Sequence, residues 1–273
     1  MKDFYVPFPR PDAAVRLICL PHAGGNATAY RPLAAHLAPE VELVAVQLPG
    51  RGPRFREAPY LDLSRLVGDL SLRIGDLLDR PWMLMGHSFG CRVAFELAHA
   101  LRRMSARLPM RFIAAGCCAF HLSKRSPASH LSDEALLERT RAVGGTPDEV
   151  LQHKELMTLM LPALRADFAM ADAHQAHAHQ ALPREPLPMP ATVMSGMSDD
   201  SVPPESWAGW QAYFSRPITI VPFDGGHFFV DTHAAQVAQE INKACRDAGM
   251  PASPHEHATL SPSHDHTAAA RSH

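Results

Sequence analysis

Short apolar runs recur along the chain, separated by stretches in which apolar residues return every three or four positions. The runs at 15–20, 42–48, 81–85, 111–115, 191–195 and 218–222 are four to eight residues long and rich in aliphatic side chains, as buried strands are. Between the second and third lies 61–78, where Leu61, Leu66, Leu70, Ile74 and Leu78 fall near helical spacing. Alternation of strand and helix predicts an α/β fold, with a mostly parallel sheet and helices on both faces.

The alternation stops between about 121 and 182. No strand-like run occurs there, and two helix starts do: Ser132 followed by Asp133 and Glu134, then Thr146-Pro147-Asp148-Glu149, which combines a capping Thr, a Pro at the first helical position and a returning Glu. Leu156, Leu159, Met160, Leu164, Phe168 and Ala171 continue a stripe at helical spacing. A helical insertion at this point of an α/β sheet lies at the C-terminal strand edge, where ligands bind, and is expected to act as a lid rather than as decoration. The chain thus divides into a first core part (1–122), a lid insertion (123–182), a second core part (183–249) and a tail (250–273). The tail is Pro, Ser, Ala and His with almost no apolar content, and is expected to be disordered. Its histidines (His255, His257, His264, His266, His273) have no ordered scaffold for a metal, and His174, His177 and His179 have no acidic or cysteine partner at ligand spacing. No metal and no cofactor are expected.

Composition narrows the classes. A formal net charge of −2 over 273 residues gives no sign of a nucleic-acid partner. No run of about 18 apolar residues suggests a membrane span. The first apolar run is interrupted by Arg16 and precedes no small-residue cleavage site, so it reads as a core strand and not an export signal. Five cysteines (Cys19, Cys91, Cys117, Cys118, Cys245), an odd number, lie mostly in apolar segments, which fits free thiols and a cytoplasmic location. Adjacent Cys117 and Cys118 are expected on opposite faces of a strand.

The candidate chemistry starts at Gly86-His87-Ser88-Phe89-Gly90, between the third apolar run and a helix-like segment. A Gly-x-Ser-x-Gly turn from strand to helix is a nucleophile elbow, which lifts a serine hydroxyl above the sheet edge. A serine needs a base, and the base needs an orienting carboxylate. In elbow-type hydrolases these follow in the order Ser, acid, His, each after a strand. Asp199 and Asp200 follow the fifth run, and Gly225-Gly226-His227 follows the sixth. His227 is therefore the candidate base. Either aspartate could orient it while the other caps the helix beginning near 203–205. Asp224 and Asp231, in the histidine's own loop, are weaker candidates. The amide of Phe89, next to Ser88, is one candidate oxyanion donor, and the loop 21–25 supplies the other.

Four motifs together carry a resemblance: Leu20-Pro21-His22-Ala23-Gly24-Gly25, Gln47-Leu48-Pro49-Gly50-Arg51-Gly52, the Ser88 elbow, and Gly225-Gly226-His227-Phe228-Phe229. The chain resembles the type II thioesterases, discrete α/β-hydrolases that accompany polyketide synthases and nonribosomal peptide synthetases, over about 15–245. Leu161-Pro162-Ala163-Leu164-Arg165-Ala166-Asp167-Phe168 is similar to that family's lid motif. The resemblance implies an α/β-hydrolase fold and a Ser88–His227–Asp199 triad, because the family's acid keeps fixed spacings to a Gly, an aliphatic residue and a Trp that Gly196, Val202 and Trp210 match. It also implies oxyanion donors at Ala23 and Phe89, and an enzyme that clears aberrant or stalled acyl groups from the phosphopantetheine arm of acyl or peptidyl carrier proteins; the sequence itself leaves the oligomeric state open, a monomer being one expectation. Asp172 and His174 stand where the family's lid motif has Glu and Tyr. The alternatives are release of a finished chain, a carboxylesterase or lipase, and a noncatalytic carrier-binding protein. Arg102, Arg103, Arg107, Arg111, Lys124 and Arg125 form a candidate basic docking face for an acidic carrier, or simply a solvated surface.

Overall fold

A computed structural model describes residues 3–124, 127–144, 154–178 and 184–248. Among these, seven strands form one sheet in the order β1-β3-β2-β4-β5-β6-β7. They are β1 (Phe4–Tyr5), β2 (Val15–Leu20), β3 (Val41–Val46), β4 (Trp82–His87), β5 (Arg111–Ala115), β6 (Ala191–Gly196) and β7 (Ile218–Phe223). Only β1 runs antiparallel, paired with β3. The helices are α1 (Arg31–His36), α2 (Leu63–Arg73), α3 (Phe89–Arg103), α4 (Asp133–Val143), α5 (Lys154–Ala178), α6 (Phe229–Thr232) and α7 (Ala234–Asp247).

Alternation along the strands sorts the core into two layers. Ile18, Leu20, Leu84 and Phe112 pack under α2 and α3, through Leu66, Leu70, Val93 and Leu97. Leu17, Cys19, Met85 and Ile113 face α1 and α7, through Leu33, Val237 and Ile241. The chain leaves β2 for β3 on one side and returns to β4 on the other. The C-terminal ends of β2 and β4 are therefore a switch point, the crevice where open α/β sheets bind ligands. The loop 21–25 and Ser88 both open onto it.

The expected strands at 15–20 and 111–115 have the observed bounds, and the others shift by one or two residues. β3 stops at Val46 because Gln47 turns its buried amide to the following loop, accepting from Ala27 N and donating to the carbonyls of Leu48 and Arg51. β4 runs on through Gly86 and His87, which pair with Ala114 and Ala115. The helix at 61–78 is shorter: Asp62 caps α2 through the amide of Arg65, and Leu61 stays 76% exposed. Leu159 likewise points outward from the insertion's stripe. Cys117 and Cys118 lie beyond the end of β5, where Gly116 at φ +58° turns the chain, and not on a strand. All five cysteines are free and buried. In the insertion, Ser132 caps α4 by accepting from Ala135 N. The expected helix start at Thr146 and the tail lie outside the described residues, and no described helix is long and apolar enough to cross a membrane.

α5 is joined to the core by a buried ion pair. Asp167 Oδ2 lies 2.5 Å from Arg51 Nη1, and its Oδ1 3.0 Å from Arg51 Nη2. The same Oδ2 accepts the amide of Gly24 at 2.8 Å. Removing one member of a buried pair leaves the other charge uncompensated. Asp167→Asn is expected to lower unfolding free energy by about 3–5 kcal/mol in urea titrations, whereas Asp167→Leu combined with Arg51→Met loses much less.

The elbow is as tightly constrained. A Cβ on Gly90 would lie 2.1 Å from the carbonyl oxygen of Leu20, and one on Gly86 2.4 Å from that of Gly90. Gly68, inside α2, has nothing within 4 Å. Gly90→Ala is expected to unfold or severely destabilise the protein, and Gly68→Ala to stabilise it by about 0.5–1 kcal/mol, both read by thermal or urea melts.

Candidate functional site

Ser88 sits between β4 and α3 at φ +54°, ψ −116°, a conformation that non-glycine residues rarely adopt. Its amide is held by the carbonyl of Ala115 on the neighbouring strand at 2.9 Å. The missing side chains at Gly86 and Gly90 let the turn close against β2. These contacts maintain the strained torsion, and the hydroxyl stands at the first turn of α3, facing the crevice.

The loops after β6 and β7 bring the other two groups together. Met197 N donates to the carbonyl of Phe223 and Ser198 N to that of Gly225, at 2.8 and 2.9 Å. His227 Nδ1 then donates to Asp199 Oδ2 at 2.6 Å, with both residues buried. Asp200 is exposed. It caps nothing, because the 3-10 turn at Pro204–Ser206 begins at Pro203 without a side-chain cap. Ser201 was not singled out by the sequence reading, yet it completes the carboxylate's shell: its amide and hydroxyl both donate to Asp199 Oδ1, at 3.0 and 2.5 Å. An Asp two residues ahead of a Ser was the available signal. Burial pushes the Asp199 carboxyl up, but the hydrogen bond and charge of His227, then the bonds from Ser201, outweigh it and hold the group below its ordinary value.

Two further histidines pack at the site. His87 Nε2 donates to the carbonyl of His227 at 2.9 Å, fixing the loop that carries the candidate base. Burial, then the neighbouring His227 and His22, lower His87 well below the ordinary imidazole value, so it is neutral. His22 is lowered to about 4 by burial and by the charges of His227 and Arg51.

Ser88 and His227 line one cavity of about 1180 Å³, together with Ala23, Phe89, Met160 and Leu164. Among the described residues His227 bonds Asp199 and Ser201 and makes no hydrogen bond to Ser88. Catalytic contacts of this kind often tighten only around substrate. The amides of Ala23 and Phe89 donate no hydrogen bond to any described residue. Gly24, beside Ala23, is held at φ +72° by Asp167. α5 roofs the cavity with Met157, Met160, Leu164, Phe168 and Ala171. Asp172 faces it too, accepting the amides of Ala128 and Ser129 at 3.0 and 2.9 Å, and His174 meets Glu96 at 3.2 Å. At these two positions the departure from the lid motif thus ties α5 to the 127–131 loop and to α3.

No cluster of three or more metal-ligating side chains occurs among the described residues. The basic surface is partly occupied: Arg102 pairs with Glu185, and Arg111 donates to Thr192 Oγ1 at 3.1 Å. Arg103 and Arg107 are exposed, Lys124 borders the cavity, and Arg125 lies outside the described residues.

The profile of a family described as "Thioesterase domain" matches residues 15–245. The gramicidin S biosynthesis protein GrsT of Aneurinibacillus migulanus is 33% identical over 219 residues, covering 80% of this chain and 84% of the relative. Among solved structures, the type II thioesterase BorB from the borrelidin biosynthetic cluster superposes with a TM-score of 0.78 at 33% identity, over 88% of this chain and 96% of that one. YbtT, a type II thioesterase from the yersiniabactin NRPS/PKS biosynthetic pathway, superposes with a TM-score of 0.78 at 29% identity, over 90% and 99%. The chain therefore belongs to the thioesterase-domain family, beside the type II thioesterases of polyketide and nonribosomal peptide pathways.

Proposed function

We propose that the protein hydrolyses acyl thioesters on the phosphopantetheine arm of carrier proteins, through an acyl-enzyme on Ser88. The observation that carries the reading is the buried 2.6 Å bond between His227 and Asp199, in a loop pair that borders the same cavity as the strained Ser88. Family membership supplies the thioester, and relatives from gramicidin S, borrelidin and yersiniabactin biosynthesis support a carrier-bound substrate in such a pathway.

In this mechanism Ser88 Oγ attacks the acyl carbonyl while its proton passes to His227 Nε2. Negative charge develops on the carbonyl oxygen, where the free amides of Ala23 and Phe89 supply donors without reorganisation. Collapse breaks the carbon–sulfur bond, and His227 returns the proton to the departing thiol. A water then attacks the acyl-serine along the same route, releasing the acid and restoring Ser88. Asp199 holds the imidazole tautomer with Nδ1 protonated and stabilises the imidazolium that forms. It can do so because it stays ionised despite burial. The donor loop is placed by its neighbours: Gly24 N is tied to Asp167, and Arg51 fixes that carboxylate.

The substrate is expected to enter with its acyl group beneath α5 and its arm toward solvent. Ser88→Ala and His227→Ala are each expected to lower kcat for acyl-pantetheine hydrolysis by about 10⁶, and Asp199→Asn by about 10⁴. Asp200→Asn is expected to stay within about twofold, because its carboxylate is exposed and bonded to neither group. Steady-state assays with released thiol as the readout check this, and near-normal turnover by Ser88→Ala would remove the proposed nucleophile. Assays on matched acyl-pantetheine thioesters and oxygen esters separate the thioesterase from an esterase, which would turn over the esters equally well.

A further inference from the structure

Arg92 lies on α3 one turn beyond Ser88, and the two line the same cavity. A side chain on a helix leans toward the N-terminus, here toward the elbow. Its guanidinium is held in place: the carbon lies 5.3 Å from the ring centre of Phe120, and Nη2 donates to Gln175 Oε1 at 3.0 Å. Gln175 is aimed in turn by its own amide, which donates to the carbonyls of Phe120 and Ser123 at 2.6 and 3.3 Å. What this arrangement lacks is an anion. The buried arginines Arg16, Arg51 and Arg54 each meet a carboxylate. Among the described residues no ion pair joins Arg92 to a carboxylate, and its buried Nη1 has no hydrogen-bond partner. Asp172, the acidic residue of α5 nearest Gln175 in sequence, has one oxygen committed to the amides of Ala128 and Ser129.

A guanidinium carries five N–H donors, and a single hydrogen bond among the described residues uses one of them here. Removing such a charge partly from water without an anion is costly, and a planar fork is shaped for a carboxylate. We propose that Arg92 is a specificity-determining residue that receives a carboxylate at the far end of the acyl group, so that the preferred substrates are thioesters of short dicarboxylic acids. The inference rests on Ser88 being the acylated residue, because only then does the acyl tail lie along the first turns of α3. The carboxylate completes the ion pair that the fold leaves open, and Gln175 and Phe120 keep the guanidinium from collapsing onto the cavity wall.

The test compares malonyl-, succinyl- and glutaryl-pantetheine with chain-matched butyryl, valeryl and hexanoyl thioesters, in the unmodified protein and in Arg92→Met and Arg92→Lys. The unmodified protein is expected to favour at least one dicarboxylic substrate over its alkyl match in kcat/KM. Arg92→Met is expected to lose about 10- to 100-fold on that substrate and little or nothing on the alkyl series, the scale of one charge-assisted contact. Arg92→Lys is expected to recover part of the preference, because it keeps the charge without the fork. Equal loss on both series would assign Arg92 a purely structural role and overturn the proposal, as would the absence of any carboxylate preference in the unmodified protein. Turnover of any of the six thioesters by the unmodified protein reads the thioesterase function separately. Its absence on all six would overturn that function, and the proposal with it.

Discussion

One carboxylate holds together three segments that lie far apart in the chain. Asp167, on the roofing helix α5, binds Arg51 from the loop after β3 and the Gly24 amide from the loop after β2. A buried ion pair adds little net stability over a well-packed apolar substitute, but it tolerates no loose geometry, because either charge left alone in the interior is expensive. Its consequence is positional. α5 cannot leave its seat without disturbing Gly24, and Gly24 is the neighbour of the proposed oxyanion donor at Ala23. The roofing helix and the loop bearing the proposed oxyanion donor are therefore tied together. Leu164 reinforces this, since its side chain fills the space where a Cβ on Gly24 would stand.

The elbow applies the same logic at shorter range. Ser88 keeps an unfavourable torsion because Gly86 and Gly90 permit backbone contacts that any side chain would forbid. On the opposite side of the crevice, Gly196 packs against the carbonyls of Gly225 and Gly226, so the loops carrying Asp199 and His227 approach closely enough for a 2.6 Å bond. The site thus depends on backbone proximity at a few glycines and on two buried polar contacts, Asp199–His227 and Asp167–Arg51, more than on the bulk of the core.

Much of this was legible in the sequence because parallel strands buried on both faces read as continuous apolar runs, and because the elbow, the Gly-Gly-His loop and the Asp pair follow strand ends in a fixed order. Other features lacked a local signal. β1 is two residues long and antiparallel, too short for any periodicity to mark before its pairing to β3 is known. β4 continues through Gly86 and His87 because ladder pairing, and not hydrophobicity, keeps them extended. Cys117 and Cys118 look like strand residues until Gly116 turns the chain. The partners of Asp167 lie 116 and 143 residues away in sequence, so periodicity had no means of finding them. The choice between Asp199 and Asp200 was open on local sequence and was resolved there by resemblance; in the fold one faces His227 and the other faces solvent.

The central claim is that acyl transfer passes through the Ser88 hydroxyl, and stoichiometric labelling with a fluorophosphonate, followed by peptide mapping by mass spectrometry, tests it most directly. The account predicts one label per chain, on the peptide containing Ser88, with thioesterase activity lost in proportion to labelling. Labelling confined to another residue, or full activity in protein labelled at Ser88, would contradict it.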